Sequence, residues 1–368
     1  MSGSTGRAEV VTEVSADELA ALLGTAHAPV LVDVREPDEF EAWAIPGSRN
    51  IPLSALESQL TSVMPGGRVV VVCASGQRSA RAVGALQAAG VDAASLAGGM
   101  SAWAEVYDRA PIEIGPFSVV QLRRRAKGCL SYVVASGGEA LVVDPSSDFE
   151  HALDVVSQSG WRVTRVVDTH LHADHVSGAR ALVAATGATL HLSSGDPLRF
   201  PYTPLRGGER IGIGDATVQV LATPGHTMGS IVLDLDGRAL LTGDTLFVDG
   251  VGRPDLADRA CEYAEELYTS LQSLLSGRSD DVLVLPAHYG EAVVILPGVP
   301  VAMRVGDVRA AVPQIGWDRE QFVSWASTRA VARPPSYLEI VRLNAGEATA
   351  SADEVRALER GPNRCSAS

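Results

Sequence analysis

Thr169-His170-Leu171-His172-Ala173-Asp174-His175 places three of the chain's eight histidines and one carboxylate within six positions. With Asp at roughly one residue in twenty, an H-x-H-x-D-H pattern arises by chance in about 2 of ten thousand chains of this length. Residues two apart in an extended segment point the same way, so His170 and His172 share a side. The short apolar run Arg165 to Val167 before them reads as a strand, and a helix is expected from about Val176, with Gly178 allowing it to approach the loop closely. Two single histidines follow in similar settings, His226 in Thr223-Pro224-Gly225-His226-Thr227 and His288 in Leu285-Pro286-Ala287-His288. Asp244, in Gly243-Asp244-Thr245, follows the strand pattern Ala239 to Leu241. Donors carried on loops at strand ends make a rigid, partly open site, which a catalytic metal requires. His27, His151 and His191 lack such partners and read as ordinary.

The remainder of the 368-residue chain bounds the class of protein. Its length favours two domains, and a 46% hydrophobic composition supplies sizeable cores. With 30 Lys and Arg against 44 Asp and Glu, the net charge is −14, which argues against nucleic acid or anionic membrane as a partner. The start, Met1 to Arg7, has no apolar core of a signal peptide, and no 18-residue apolar run suggests a membrane span. Cys73, Cys129, Cys261 and Cys365 are scattered and form no C-x-x-C pair. A reduced, cytoplasmic protein is the expectation, and the sequence leaves a homodimer open.

Residues 1–106 alternate apolar strands (Pro29 to Val34, Arg68 to Val72) with a helix over Ser79 to Ala89, the pattern of an α/β domain with a parallel sheet covered by helices on both faces. Tyr107 to Pro116 carries two prolines and a glycine and reads as a linker. A second domain over 117–346 opens with strands at Ser131 to Val134 and Ala140 to Asp144. It continues through helices at His151 to Ser159 and Ala179 to Thr186 and a strand-rich stretch from Ala188 to Thr242. A helix over Cys261 to Leu275 and a strand at Val282 to Leu285 complete it. In 347–368, Ser351 and Glu354 form a capping-box pattern at the start of one helix, and a frayed tail is expected after it.

The metal-type motifs His170-Leu-His172-Ala-Asp174-His175, Thr223-Pro-Gly-His226-Thr, Thr242-Gly-Asp244-Thr and Pro286-Ala-His288 resemble those of the metallo-β-lactamase fold. The resemblance covers about Pro116 to Pro297 and implies an αββα sandwich with metal at the sheet edges. Two uses of the motifs are open. Two Zn(II) ions would take His170, His172 and His226 on one side and Asp174, His175 and His288 on the other, bridged by Asp244, as in thioester-hydrolysing glyoxalase II enzymes. One Fe(II) per chain would take only His170, His226 and Asp244, a two-histidine, one-carboxylate set suited to O2, as in the persulfide dioxygenases of this fold. His172, Asp174, His175 and His288 would then orient ligands and move protons. Gly252-Arg253-Pro254-Asp255-Leu256 after Asp244 resembles the dioxygenase segment and makes Arg253 either a candidate substrate contact or a loop-fixing ion pair. His288-Tyr289-Gly290 departs from both subfamilies, which carry an acidic residue after that histidine. Pro334 to Tyr337 through Asn344-Ala345-Gly346 resembles the closing segment of bacterial sulfur-handling members.

Cys73-Ala74-Ser75-Gly76-Gln77-Arg78-Ser79 follows a buried strand and enters a helix. A thiol there faces loop N–H groups and the positive helix end, with Arg78 adding charge, and both favour a reactive thiolate. Ala74, Ser75, Gly76, Gln77 and Ser79 would cradle an additional sulfur. The segment is similar to the active-site loop of rhodaneses, as are Asp33 to Phe40, Ile45-Pro46-Gly47 and Leu96 to Trp103. The resemblance spans Val11 to Val106 and implies a Cys73 persulfide, with Ala44 departing from the usual His. Cys129, Cys261 and Cys365 have no such surroundings and read as structural or incidental. The basic run Arg123-Arg124-Arg125-Ala126-Lys127 reads as a solvated strand edge, or more sharply as an anion-guiding patch. Together the two resemblances imply a sulfur-handling enzyme. They imply that Cys73 exchanges sulfane sulfur with thiosulfate or sulfite, and that the metal domain oxidises a low-molecular-weight thiol persulfide with O2 to sulfite and free thiol.

Overall fold

Four consecutive valines, Val69–Val72, are all buried. A strand without a polar face must be covered on both sides, and the computed structural model places it at the centre of a five-stranded sheet. The structure describes residues 12–59, 67–255, 259–290, 293–328, 333, 336–359, 361 and 366–367. In chain order the strands are β1 (Glu13–Val14), β2 (Val30–Asp33), β3 (Arg49–Asn50), β4 (Val69–Val72) and β5 (Ala93–Leu96). They lie in the order β1-β5-β4-β2-β3 with every pairing parallel. Val70 and Val72 face a core with Leu19 and Trp103 from helices α1 (Ala16–Leu22) and α4 (Gly99–Trp103). Val69 and Val71 face the opposite core with Ala82, Val83 and Leu86 of α3 (Gln77–Ala88), while α2 (Pro37–Ala42) follows β2. The expected α/β layer with helices on both faces is therefore present.

The chain divides near Tyr107, and the second unit holds Asp108–Arg123, Gly128–Val294 and Gly298–Ser368. Its first sheet is built from β6 (Tyr107–Ile114), β7 (Phe117–Arg124), β8 (Cys129–Ser136), β9 (Glu139–Val143), β10 (Arg162–Val167), β11 (Thr189–Ser193) and β12 (Thr203–Leu205), in the order β12-β11-β10-β9-β8-β7-β6. The second contains β13 (Arg210–Ile213), β14 (Ala216–Ala222), β15 (Ile231–Leu235), β16 (Ala239–Gly243), β18 (Leu283–Pro286) and β19 (Met303–Arg304), in that order. Helices α5 (Glu150–Ser159) and α6 (Ala179–Thr186) cover the outer face of the first sheet through Val142, Val155, Val166 and Leu182. Helices α7 (Ala260–Leu275), α8 (Val305–Ala311) and α9 (Arg319–Thr328) cover the second through Val232, Leu240, Leu267, Val284 and Phe322. The alternate strand residues, Leu141, Val143, Leu233, Leu241 and Leu285, are equally buried and fill the layer between the sheets. The Tyr132 hydroxyl donates to the Pro286 carbonyl across that layer at 2.5 Å. The αββα expectation holds. Helices α10 (Tyr337–Asn344) and α11 (Ala352–Leu358) follow, the latter opened by the Ser351–Glu354 capping box.

Three expectations are corrected. The stretch read as a linker is strand β6, at the edge of its sheet, where Pro111 sacrifices no interior ladder bond. Gly115, at φ 54°, and Pro116 form the turn into β7. Arg123, Arg124 and Lys127 are buried, so the basic run is no solvated edge. Arg123 pairs with Asp108 on β6 and donates to the Val299 carbonyl. The tail is not wholly frayed: β20 (Ser366–Ala367) pairs antiparallel with β17 (Val251–Gly252). Cys365, Leu256, Pro334 and Pro335 lie outside the described residues. Among the described residues no helix is long and apolar enough to cross a membrane.

Candidate metal centre and thiol loop

The donors converge because strands of both sheets end at one rim. Thr169 and His170 follow β10, and His226 lies in the loop after β14. Asp244 follows β16, and His288 lies two residues past β18. The Ile231 N–H donates to the Thr169 carbonyl at 2.8 Å, tying the start of β15 to the histidine loop. Gly252 permits the closest approach: a Cβ there would lie 1.9 Å from the Asp244 carbonyl oxygen and 2.9 Å from His226 Cβ.

His170, His226 and Asp244 form one buried group whose donor atoms lie within 4.8 Å of one another. His170 Nε2 is 3.7 Å and His226 Nε2 3.5 Å from Asp244 Oδ2. His170 Nε2 and Asp244 Oδ2 have no hydrogen-bond partner. An unpaired buried polar atom costs about 1–3 kcal/mol, so a set with two of them facing one another fits a cation. Burial, reinforced by His172, holds His170 well below the usual histidine range, and burial also lowers His226. Burial opposes ionisation of Asp244, but His288 and His170 outweigh it and lower its carboxyl. The group thus offers two neutral imidazoles and one carboxylate.

The other ring nitrogens are already assigned. His226 Nδ1 donates to the Arg253 carbonyl at 3.0 Å. His170 Nδ1 lies 3.0 Å from Thr169 Oγ1, which donates to Asp144 Oδ2 at 2.9 Å, so the proton belongs on Nδ1 and Nε2 keeps its lone pair. Asp144 also accepts the Thr169 N–H at 2.6 Å and faces His172 Nε2 at 3.1 Å. His172 accordingly groups with Asp144 and Asp168 rather than with His170, while its Nδ1 has no partner.

Asp174, His175 and His288 form a further buried group, joined by Cys129. His288 Nδ1 is 2.6 Å from Asp244 Oδ1 and its Nε2 2.7 Å from Asp174 Oδ2. Although burial disfavours the charge, these two carboxylates raise His288 well above the usual histidine range. Cys129 Sγ donates to Asp174 Oδ2 at 3.4 Å, and the Leu130 N–H donates to the Ala287 carbonyl, which brings β8 beside His288.

In the first unit, Cys73 follows β4 and is 1% exposed. Gly76 N–H donates to Sγ at 3.1 Å and Ser79 Oγ lies 3.3 Å away. Burial works against the thiolate, yet the Ser79 hydroxyl and the N–H groups of Ser79, Ser75 and Gly76 bring a net lowering of the thiol pKa. Arg78 makes a bidentate pair with Glu39 at 2.7 and 2.8 Å. Gly99, at φ 57°, underlies the loop: a Cβ there would meet the Cys73 carbonyl oxygen at 2.1 Å.

Residues 15–106 match the family described as Rhodanese-like domain, and residues 124–288 match the Metallo-beta-lactamase superfamily. The chain joins a rhodanese-like domain to a metallo-beta-lactamase domain. The metallo-beta-lactamase part is similar to hydroxyacylglutathione hydrolase of Anaeromyxobacter dehalogenans, 41% identical over 131 residues, 35% of this chain and 51% of that protein. It also resembles the enzyme of that name from a Polaromonas species, 36% identical over 165 residues, 43% of this chain and 61% of the relative. The chain thus spans between half and two thirds of the length of these relatives. Among solved structures, ETHE1 from Myxococcus xanthus superposes with a TM-score of 0.56 at 29% identity, covering 62% of this chain and 98% of that one. A metallo-beta-lactamase from Staphylococcus aureus superposes at TM-score 0.58 and 24% identity, covering 64% and 74%, and shows the shared fold.

Of the residues singled out in sequence, the metallo-beta-lactamase domain brings all seven candidate donors to one rim but sorts them into three groups. Arg253 is 1% exposed and makes a bidentate pair with Asp255 at 2.6 Å, which fixes the loop, while its carbonyl holds His226. In the rhodanese-like domain, Ser75 and Gln77 are exposed, Ala74 and Gly76 half-buried and Ser79 buried. Four residues were missed. Asp144 and Thr169 are the hydrogen-bond support of His170, and Asp144 ends a strand as Asp168 does. Glu39 lies in the Asp33 to Phe40 segment and its charge complements Arg78. Cys129, read as structural or incidental, had no signal, because only a β-bridge brings it to His288.

Proposed function

We propose that the chain is a persulfide dioxygenase with an attached sulfurtransferase. One observation carries the choice: His170, His226 and Asp244 stand as a complete two-histidine, one-carboxylate donor set, with His172 drawn to Asp144 instead and Asp174, His175 and His288 grouped apart with Cys129. Fe(II) in a two-histidine, one-carboxylate set supplies the open positions and electrons that O2 chemistry requires. The residues of the chain then have distinct tasks. Asp144 and Thr169 keep the proton of His170 on Nδ1. The Arg253 carbonyl does the same for His226. His288 stands between the Asp244 and Asp174 carboxylates beside the reacting centre, placed to pass a proton between them. The overall reaction is RSSH + O2 + H2O giving RSH, sulfite and two protons. In the rhodanese-like domain the Cys73 thiolate attacks the outer sulfur of thiosulfate, the S–S bond breaks, and sulfite leaves a Cys73 persulfide. A low-molecular-weight thiolate then removes that sulfur, and each step is reversible. Arg78, held by Glu39, supplies positive charge beside the incoming dianion. The similarity to ETHE1 supports this reading.

The relatives named hydroxyacylglutathione hydrolase favour a second reading, a dinuclear zinc thioester hydrolase. The partnerless His172 Nδ1 and His175 Nε2 would be its additional donors. Metal analysis and oxygen uptake separate the two. Anaerobically iron-loaded protein should bind about one iron per chain and consume O2 with glutathione persulfide. Two zinc ions per chain, with thioester hydrolysis and no O2 uptake, would overturn the dioxygenase reading.

A further inference from the structure

The backbone of the histidine loop is held from far along the chain. Between His172 and Gly178 the chain is in neither helix nor strand, so its polar groups need partners from elsewhere. Asn344, at the end of α10 and 7% exposed, supplies three of them. Its Nδ2 donates to the His172 carbonyl at 2.9 Å and the His175 carbonyl at 2.8 Å, and its Oδ1 accepts the Ser177 N–H at 2.9 Å. Glu359, just after α11 and 3% exposed, accepts the Val176 N–H at 2.7 Å and the Ser147 hydroxyl at 3.2 Å. The segment carrying them is itself anchored. Arg180 donates to the Leu343 carbonyl, the Arg199 N–H donates to the Ala345 carbonyl, and Ser336 Oγ donates to the Leu358 carbonyl. Both residues lie beyond 124–288, the stretch that matches the metallo-beta-lactamase superfamily.

We infer that Asn344 and Glu359 are positioning residues of the metal centre, a C-terminal strap that sets the conformation of the His172–Ser177 loop and through it the donors on either side. The inference rests on the reading that this loop holds a metal, but not on which metal or which reaction. An asparagine suits the task because one planar group donates twice and accepts once. The loop presents two carbonyls and one N–H in matching positions. An aspartate would keep the acceptor for Ser177 and turn an oxygen toward the two carbonyls.

The test is cobalt binding by the full chain. Co(II) affinity is measured by competition with a chelator, the visible Co(II) bands report ligand geometry, and thermal unfolding of the metal-free chain reports folding. Asn344→Asp is expected to weaken Co(II) about 10- to 100-fold, the usual effect of removing a group that orients ligands, and to shift the bands. A residue that only stabilised the fold would lower the unfolding temperature and leave the bands in place. Glu359→Gln should act in the same direction and replaces Asn344→Asp if that variant does not fold. Ser336→Ala, which removes one bond to the Leu358 carbonyl and keeps every bond from Asn344 and Glu359 to the loop, should leave the bands unmoved. Wild-type affinity and unshifted bands in both Asn344→Asp and Glu359→Gln would overturn the inference alone. Failure of the wild-type chain to bind Co(II) would overturn it together with the metal reading.

Discussion

Asp144→Asn should disable the metal centre by moving one proton. Asp144 adopts φ 51°, and Asn is among the residues that best tolerate this region, so the backbone is not perturbed. The wild-type carboxylate accepts from Thr169 N–H, Thr169 Oγ1 and His172 Nε2. An amide has one oxygen. If it keeps the Thr169 N–H, its NH2 faces Thr169 Oγ1 and reverses that bond. The hydroxyl then donates to His170 Nδ1, and the imidazole proton moves to Nε2, the atom facing Asp244 Oδ2. A protonated Nε2 cannot bind a metal. Changes of this type cost about 10- to 100-fold in metal affinity, which is about 1.4–2.7 kcal/mol. The metal-free protein should lose a further 1–3 kcal/mol, roughly the cost of unpaired buried donors. Anaerobic chelator competition with Fe(II) measures the first and urea unfolding the second. An affinity within twofold of wild type would refute the tautomer reasoning.

Three other outcomes are expected. Ser79→Ala removes the hydroxyl beside Cys73 Sγ and should raise the pH midpoint for alkylation of Cys73, followed by peptide mapping, while exposed Cys261 is unaffected. Gly99→Ala places a methyl group against the Cys73 carbonyl at positive φ; thiosulfate sulfurtransferase activity should vanish, with a stability loss above about 2 kcal/mol in urea. Arg78, against the opposing pull of burial, holds the Glu39 carboxyl at about 2. Because its folded pKa is depressed, the stabilisation is present above the ordinary value and is lost as pH falls through about 2. The difference in unfolding temperature between wild type and Glu39→Gln should therefore shrink between pH 5 and 2, and a constant difference would contradict the pairing.

The parts of this molecule legible in the sequence are those whose signal is local. The buried valines of β4, the capping box at Ser351 and the spacing of His170, His172, Asp174 and His175 each announce themselves within a few residues. The seven donors could be named from their loops, but their sorting could not, because it depends on Asp144 reaching across from a neighbouring strand to draw His172 away. Prolines misled where an edge strand tolerates them, as at Pro111. Charge misled at Arg123, whose partners Asp108 and the Val299 carbonyl lie 15 and 176 residues away. Cys129 carries no pattern at all, and the segment that holds Asn344 gave no sign of what its side chain touches; only contacts between distant segments give them a place beside the donors.

The three donors at the centre belong to different halves of the sandwich: His170 comes from the first sheet, His226 and Asp244 from the second. An ion bound among them is then a clasp as well as a reagent. Binding that requires both halves in register draws on folding free energy, so at a free-metal concentration a thousand times the dissociation constant the domain gains about 4 kcal/mol. Chelation would loosen the domain at its metal edge first, and metal supply would govern how long the domain persists.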